Sequence, residues 1–136
     1  MEIIFLKNIL YSLFIMDFQN IIKDASLIKL KDQQVNKCLS INFFTEIKTK
    51  FGSQHLIYNK KYNVSFYSNS QIFGYLNSFK NTLNNKDGYY YKDDQLSDIA
   101  KFKIISIEEN HASLKFLNKE SVYKKSTIPL SSDDEQ

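Results

Sequence analysis

Lys101-Phe102-Lys103-Ile104-Ile105-Ser106-Ile107-Glu108-Glu109-Asn110-His111-Ala112-Ser113-Leu114-Lys115-Phe116-Leu117 is the stretch that decides the fold class. Phe102 and Ile104 alternate with lysines, the phase shifts at Ile105, and Ile107 resumes beyond the shift. Glu108-Glu109-Asn110-His111 then interrupts the apolar run, after which Ala112, Leu114 and Phe116 alternate with Ser113, Lys115 and Leu117. Neighbouring side chains of a strand point to opposite faces, so a period of two marks a half-buried strand. The stretch reads as two strands with a tight connection, one face apolar and the other mostly wet. A further short strand is expected near Tyr123 to Leu130.

Moving towards the N-terminus, Asn84-Asn85-Lys86-Asp87-Gly88 is a strong turn signal. Asp-Gly suits a two-residue hairpin turn because both central residues take φ > 0, so Gly88 is expected there with positive φ. Ile72, Leu76, Phe79 and Leu83 have helical spacing with Ser70 as N-cap, but Gly74 and the Tyr/Phe content favour a strand, and a strand is expected. Leu56-Ile57-Tyr58 and Tyr62 to Tyr67 flank Asn59-Lys60-Lys61, which predicts a hairpin. Before it, Leu39, Ile41, Phe43, Thr45, Ile47 and Phe51 fall on one face of a single strand. Cys38, Ser40, Asn42, Glu46, Lys48 and Lys50 fall on the other, and Phe44 is the exception. Gly52-Ser53 closes that strand. Phe18, Ile21 and Ile22 predict a connecting helix, followed by an irregular or extended segment around Leu27 to Leu30.

The organisation that results has an apolar N-terminal helix at 1–16, a connecting segment at 17–36, a β domain at 37–130 and an acidic tail at 131–136. The fold class is mainly β: a small barrel or sandwich of five to seven short antiparallel strands with an N-terminal helix. Ile3 to Met16 is the most apolar run. As a helix its length is about 21 Å, short of the roughly 30 Å hydrocarbon core of a bilayer, and Lys7 lies near its middle. It reads as a membrane anchor or uncleaved signal through residues 3–16, as a helix buried against the domain, or as a consequence of a start at Met16. The weak polar stripe of Lys7, Asn8 and Ser12, which Glu2 and Asp17 do not extend, tips the reading towards the anchor.

Composition narrows the function classes. The apolar share of 43% with 15% aromatic residues suffices for a globular core in 136 residues. All 18 basic residues are lysine, so the planar fork that reads phosphate and guanine bidentately is missing. The net charge of +3 comes from Lys spread along the chain, while the end (Asp133, Asp134, Glu135) is acidic, and such a balance does not indicate a nucleic-acid binder. A single cysteine, Cys38, excludes an internal disulfide and a cysteine metal cluster.

No nucleophile–base pair, phosphate loop or metal-ligand spacing occurs, so no enzyme, cofactor or metal is expected. His55 and His111 are far apart in sequence and read as surface histidines. Asp93-Asp94 and Glu108-Glu109 are adjacent carboxylates whose side chains diverge in a strand or turn, so they read as solvated turn residues. Cys38 sits on the wet face with no basic neighbour placed to activate it. Asn63-Val64-Ser65 matches a glycosylation acceptor, a triplet that an Asn-rich chain produces by chance. The candidate contact residues are Tyr89, Tyr90, Tyr91 and Lys92. With Lys86 they suit a stacking platform or a protein contact, while the plainer alternative is that one face enters the core and the other covers the sheet.

Ile72-Phe73-Gly74-Tyr75-Leu76, Thr82-Leu83-Asn84, Tyr91-Lys92-Asp93-Asp94-Gln95-Leu96, the strands Phe102–Ile107 and Ala112–Leu117, and Ile128-Pro129-Leu130 occur in that order. This succession resembles the periplasmic homology-region domain of the type II secretion inner-membrane subunit and of the related type IV pilus periplasmic lipoprotein. Asp93 stands where that family usually has Gly, Ser97-Asp98-Ile99 replaces a compact Gly-rich turn, and Pro129 falls inside the last strand. The resemblance covers residues 72–130. It implies a non-enzymatic assembly component of an envelope secretion, pilus or DNA-uptake machine, located at the inner membrane or periplasm. Such a domain docks a secretin-like protein partner through an open sheet edge. The rival reading, compatible with the cytoplasm, is an oligonucleotide-binding-type small β-barrel that takes single-stranded nucleic acid or serves as an accessory subunit of a nucleic-acid complex. A groove lined with both Tyr and Lys favours nucleic acid; a bare edge with scattered Lys favours protein docking.

Overall fold

The computed structural model describes residues 17–117. Nine strands among them form two sheets. The chain runs through helix α1 (Phe18–Asp24), β1 (Ser26–Leu27), a 3-10 turn (Leu30–Asp32), β2 (Cys38–Ile41), β3 (Phe43–Thr49), β4 (Gly52–Asn59) and β5 (Val64–Tyr67). It continues through helix α2 (Ser70–Asn77), a second 3-10 turn (Lys80–Thr82), β6 (Asn84–Lys86), β7 (Tyr89–Tyr91), β8 (Ala100–Glu108) and β9 (His111–Phe116). Six strands pair in the order β1-β5-β4-β3-β7-β6, and three in the order β2-β8-β9. Every pairing is antiparallel except β1 with β5. The mainly-β expectation holds, as a sandwich-like pair of sheets without a closed barrel.

The strand expected to run unbroken from Cys38 to Phe51 is instead two strands in different sheets. Cys38–Ile41 pairs with β8, Phe43–Thr49 pairs with β4 and β7, and Asn42 is the crossing point. This accounts for Phe44. The large sheet is buried on both faces, so the adjacent rings of Phe43 and Phe44 are each fully buried, on opposite sides. Phe44 joins Leu39, Ile41, Ile57, Phe66, Phe102 and Ile104 in the core between the sheets, which α2 closes with Ile72 and Leu76. Phe43 joins Tyr58 and Leu96 on the outer face, where α1 lays Phe18 and Ile22 over them. Each such side chain contributes roughly 1.5–3 kcal/mol by leaving water.

Helix α1 is the connecting helix the spacing predicted. Its N-cap Asp17 accepts from the Asn20 N–H at 3.2 Å and from Asn20 Nδ2 at 2.7 Å. The segment from Ser70 to Asn77, expected as a strand, is a helix capped by Asn69 rather than Ser70, whose side chain accepts from the Ile72 N–H at 2.9 Å. The i, i+4 pair Ile72 and Leu76 buries one stripe, and this outweighs the about 1 kcal/mol cost of an exposed Gly74 in mid-helix. The first strand of the resemblance is therefore helical, and its second reduces to a 3-10 turn with β6 starting only at Asn84.

The two hairpins the sequence marked most clearly are present. Asp87 (φ 55°) and Gly88 (φ 89°) form the β6–β7 turn. Glu109 (φ 48°) and Asn110 (φ 70°) form the β8–β9 turn, and the register shifts between Ile104 and Ser106 where the sequence changed phase. The hairpin across Lys60 to Asn63 is also present. No helix among the described residues is long and apolar enough to cross a membrane. The segments 1–16 and 118–136, with the expected N-terminal helix, the last strand and the tail, lie outside the described residues.

Candidate functional site

At Asn42 the chain leaves one sheet for the other, and the seam is floored by three buried polar residues, Ser40, Asn42 and Asn59. Backbone leaving a ladder has groups to satisfy, and here side-chain amides supply partners. The Asn42 N–H donates to the Tyr58 carbonyl at 2.9 Å. Its Nδ2 donates to the Leu96 carbonyl and to Asp98 Oδ1, both at 2.9 Å, and its Oδ1 accepts from Ser40 Oγ at 3.0 Å and from the Lys60 N–H at 2.8 Å. Asn59 Nδ2 donates to the Ser40 carbonyl at 3.0 Å and to Ser40 Oγ at 3.1 Å, while its Oδ1 accepts from the Tyr62 N–H at 2.8 Å.

Two backbone N–H groups of the β4–β5 turn are thus held from beneath by buried amides. Asn63 completes the turn at φ 54°, where its Oδ1 accepts from the Tyr58 hydroxyl at 3.0 Å. The turn presents Lys60, Lys61 and Tyr62 on a fixed base, and Tyr62 is 47% exposed. Over the seam lies a cleft of about 330 Å³. Among the described residues its walls carry four lysines, Lys37, Lys60, Lys61 and Lys101, against one carboxylate, Asp98. The Lys37 and Lys61 ammonium groups lie 5.0 and 5.4 Å from the centre of the Tyr62 ring. Lys37 Nζ also donates to Gln33 Oε1 at 3.1 Å, and Lys60 Nζ donates to the Gln95 carbonyl at 2.7 Å. Cys38 lines the same cleft and is partly exposed.

The residues singled out from sequence are placed elsewhere. Tyr89 and Tyr91 pack against Phe18, with centroids at 5.4 and 5.1 Å, and Tyr90 stacks on Phe44 at 5.2 Å. Burial, with the Asp17 carboxylate adding to it, pushes the Tyr89 hydroxyl above its ordinary value. Lys92 is exposed, and its carbonyl accepts from Asn84 Nδ2 at 3.0 Å. The structure brings the three tyrosines together as neighbours on β7 but turns their rings into two different aromatic clusters. Asp93 caps its own turn: its Oδ1 accepts from the Gln95 and Ser97 N–H groups, and hydrogen bonding to Ser97 holds its carboxyl below the usual range.

His55, expected at the surface, is fully buried between Phe73 (4.6 Å) and Phe44 (4.9 Å), and neither ring nitrogen has a hydrogen-bond partner. Burial depresses its pKa to about 4. Glu46, opposite it across the β3–β4 ladder, pulls the other way, and Lys80 adds to the depression. Glu46 is itself engaged with Lys80 Nζ at 3.1 Å. The period-two phase carries the missed signal, because His55 shares a strand face with fully buried Ile57. The lysine cleft had a fainter one: Asn42 stands as a lone amide amid Ile41, Phe43 and Phe44.

Among the described residues no group of three or more His, Cys, Asp and Glu side chains could hold a metal ion. Comparison with protein-family models, with curated proteins and with solved structures finds no match.

Proposed function

We propose that the protein is a non-enzymatic binding module that takes a polyanionic partner along the lysine-lined seam. The phosphate backbone of a nucleic acid is the chemistry that fits. One observation carries the reading: four lysines and an exposed tyrosine share a single cleft, whose one carboxylate among the described residues, Asp98, accepts a hydrogen bond from Asn42. A mild net charge spread along the sequence becomes a local concentration of positive charge once the chain is folded. Lysine ammonium groups without arginine favour phosphate contact by charge over base-by-base readout.

Docking of a protein subunit along a sheet edge, which the resemblance implies, has one observation in its favour. Among the described residues no strand lies beyond β6 in the large sheet. That edge is three residues long. The outer edge of β9 is capped by side chains: Asn69 Nδ2 donates to the Ala112 carbonyl, and the Gln71 amide exchanges two hydrogen bonds with the backbone of Leu114. Such capping blunts an edge against a further strand.

The test is fluorescence anisotropy of a labelled oligonucleotide with the full chain at low salt. Replacing both Lys60 and Lys61 by Gln should weaken binding several-fold and lower the salt dependence, since each lysine removed from a single strand takes about 0.7 from the slope of log K against log salt. Absence of binding at low salt overturns the proposal and leaves edge docking as the reading to pursue.

A further inference from the structure

We infer that Tyr62 makes the seam a single-strand site, stacking an unpaired base while the flanking lysines hold the phosphates on either side of it. This inference rests on the polyanion reading and adds to it the form of nucleic acid taken. Tyr62 has what a stacking residue needs. The residue is about half exposed and lines the cleft, and its backbone is fixed by the bond from its N–H to buried Asn59. The Lys37 and Lys61 ammonium groups lie over the ring, 5.0 and 5.4 Å from its centre, so a base that stacks there takes the place of an ammonium group, and the displaced lysine stays within one nucleotide's reach to meet a flanking phosphate. A base in a duplex has both faces covered by its neighbours, whereas an unpaired base can exchange solvent for an aromatic face. Stacking of this kind tolerates any base and needs no arginine. Among the described residues the other exposed aromatic side chains do not meet these conditions together. Phe51, the most exposed of them, sits on the β3–β4 turn and does not line the cleft, with Lys50 Nζ 5.2 Å from its ring centre, and Tyr67 lies on β5.

The experiment measures the affinity of the full chain for three labelled ligands at one salt concentration: a thymidine dodecamer, an abasic strand of the same length, and a duplex. The first two carry the same phosphates and differ only in having bases to stack. The thymidine strand should bind about tenfold more tightly than the abasic strand, within the usual range for one stacked base. Tyr62→Leu should bring it down to the abasic level, and Tyr62→Phe should keep the preference, which separates stacking from any role of the hydroxyl. Equal binding of thymidine and abasic strands, or a preference that survives Tyr62→Leu, overturns the inference while leaving the polyanion reading standing. Failure of all three ligands to bind overturns both.

Discussion

Two buried polar places meet strand β4 of this protein, one at Asn59 and one at His55, and they are built in opposite ways. At the seam, the amides of Asn42 and Asn59 and the hydroxyl of Ser40 all have partners, and the network holds the turn that carries Lys60, Lys61 and Tyr62. At His55, on β4, an imidazole lies between two phenylalanine rings with both nitrogens unpartnered. A satisfied network fixes geometry, because each member would leave others unpaired if it were lost. An orphaned polar group costs stability for as long as it stays buried. The first arrangement suits a site and the second a weakness in the fold, and the contrast can be measured.

The largest effect is expected at the seam. Asn42→Ala strips partners from Ser40, the Lys60 N–H, the Leu96 carbonyl and Asp98 together, and should destabilise the protein by about 3–5 kcal/mol in urea unfolding. A loss under about 1 kcal/mol would mean that water replaces the amide easily and that the turn is not held as described.

His55 should behave in the opposite sense and should depend on pH. Below its ordinary value an unfolded chain's histidine takes up a proton that buried His55 refuses until the pH reaches about 4. Between those values the unfolded state binds more protons. Stability is therefore complete above about pH 6.5, falls as the pH drops, and levels off below about 4, with a total loss of about 3 kcal/mol. His55→Phe keeps a ring between Phe44 and Phe73 and should flatten this part of the profile, leaving the variant more stable than the native chain at pH 5. Identical pH profiles for the two proteins would contradict the burial of a neutral imidazole.

Two glycines extend the comparison to the backbone. Gly88 lies in the left-handed region at φ 89°, so Gly88→Val should cost more than about 1 kcal/mol; a change near zero would deny the tight β6–β7 turn. Gly74 has ordinary helical geometry with open space where a Cβ would stand, so Gly74→Ala should stabilise α2 by up to about 1 kcal/mol. Denaturant midpoints of the two variants should move in opposite directions.

The sequence shows these features unevenly, for physical reasons. The β8–β9 and β6–β7 hairpins were legible because local chemistry specifies them: alternation, a phase shift at Ile105, and Asp-Gly where φ must be positive. Helix α2 reads as a strand because Gly74 and its aromatic neighbours suit one locally; the Asn69 cap is a local signal one residue before Ser70, and the fact that decides for the helix, burial of the stripe Ile72–Leu76 against the core, is tertiary. The break at Asn42 is hidden because both strands beside it keep alternating patterns, and only the pairing of Cys38–Ile41 with β8 and of Phe43–Thr49 with β4 and β7 puts them in different sheets. Of the cleft, only the lone amide of Asn42 amid Ile41, Phe43 and Phe44 is legible locally. Lys37, Lys60, Lys61 and Lys101 come from three separate parts of the chain, and pairing of β2 with β8 and the return of the β4–β5 turn bring them together.

The most direct test of the lysine seam as the working surface is a map of backbone amide shifts during titration with a thymidine oligonucleotide at low salt. Changes should concentrate at Lys37 to Asn42, Asn59 to Tyr62 and Asp98 to Lys101, and fade as salt is added. Changes centred instead on Asn84 to Lys92, or no changes at any salt concentration, would contradict the account.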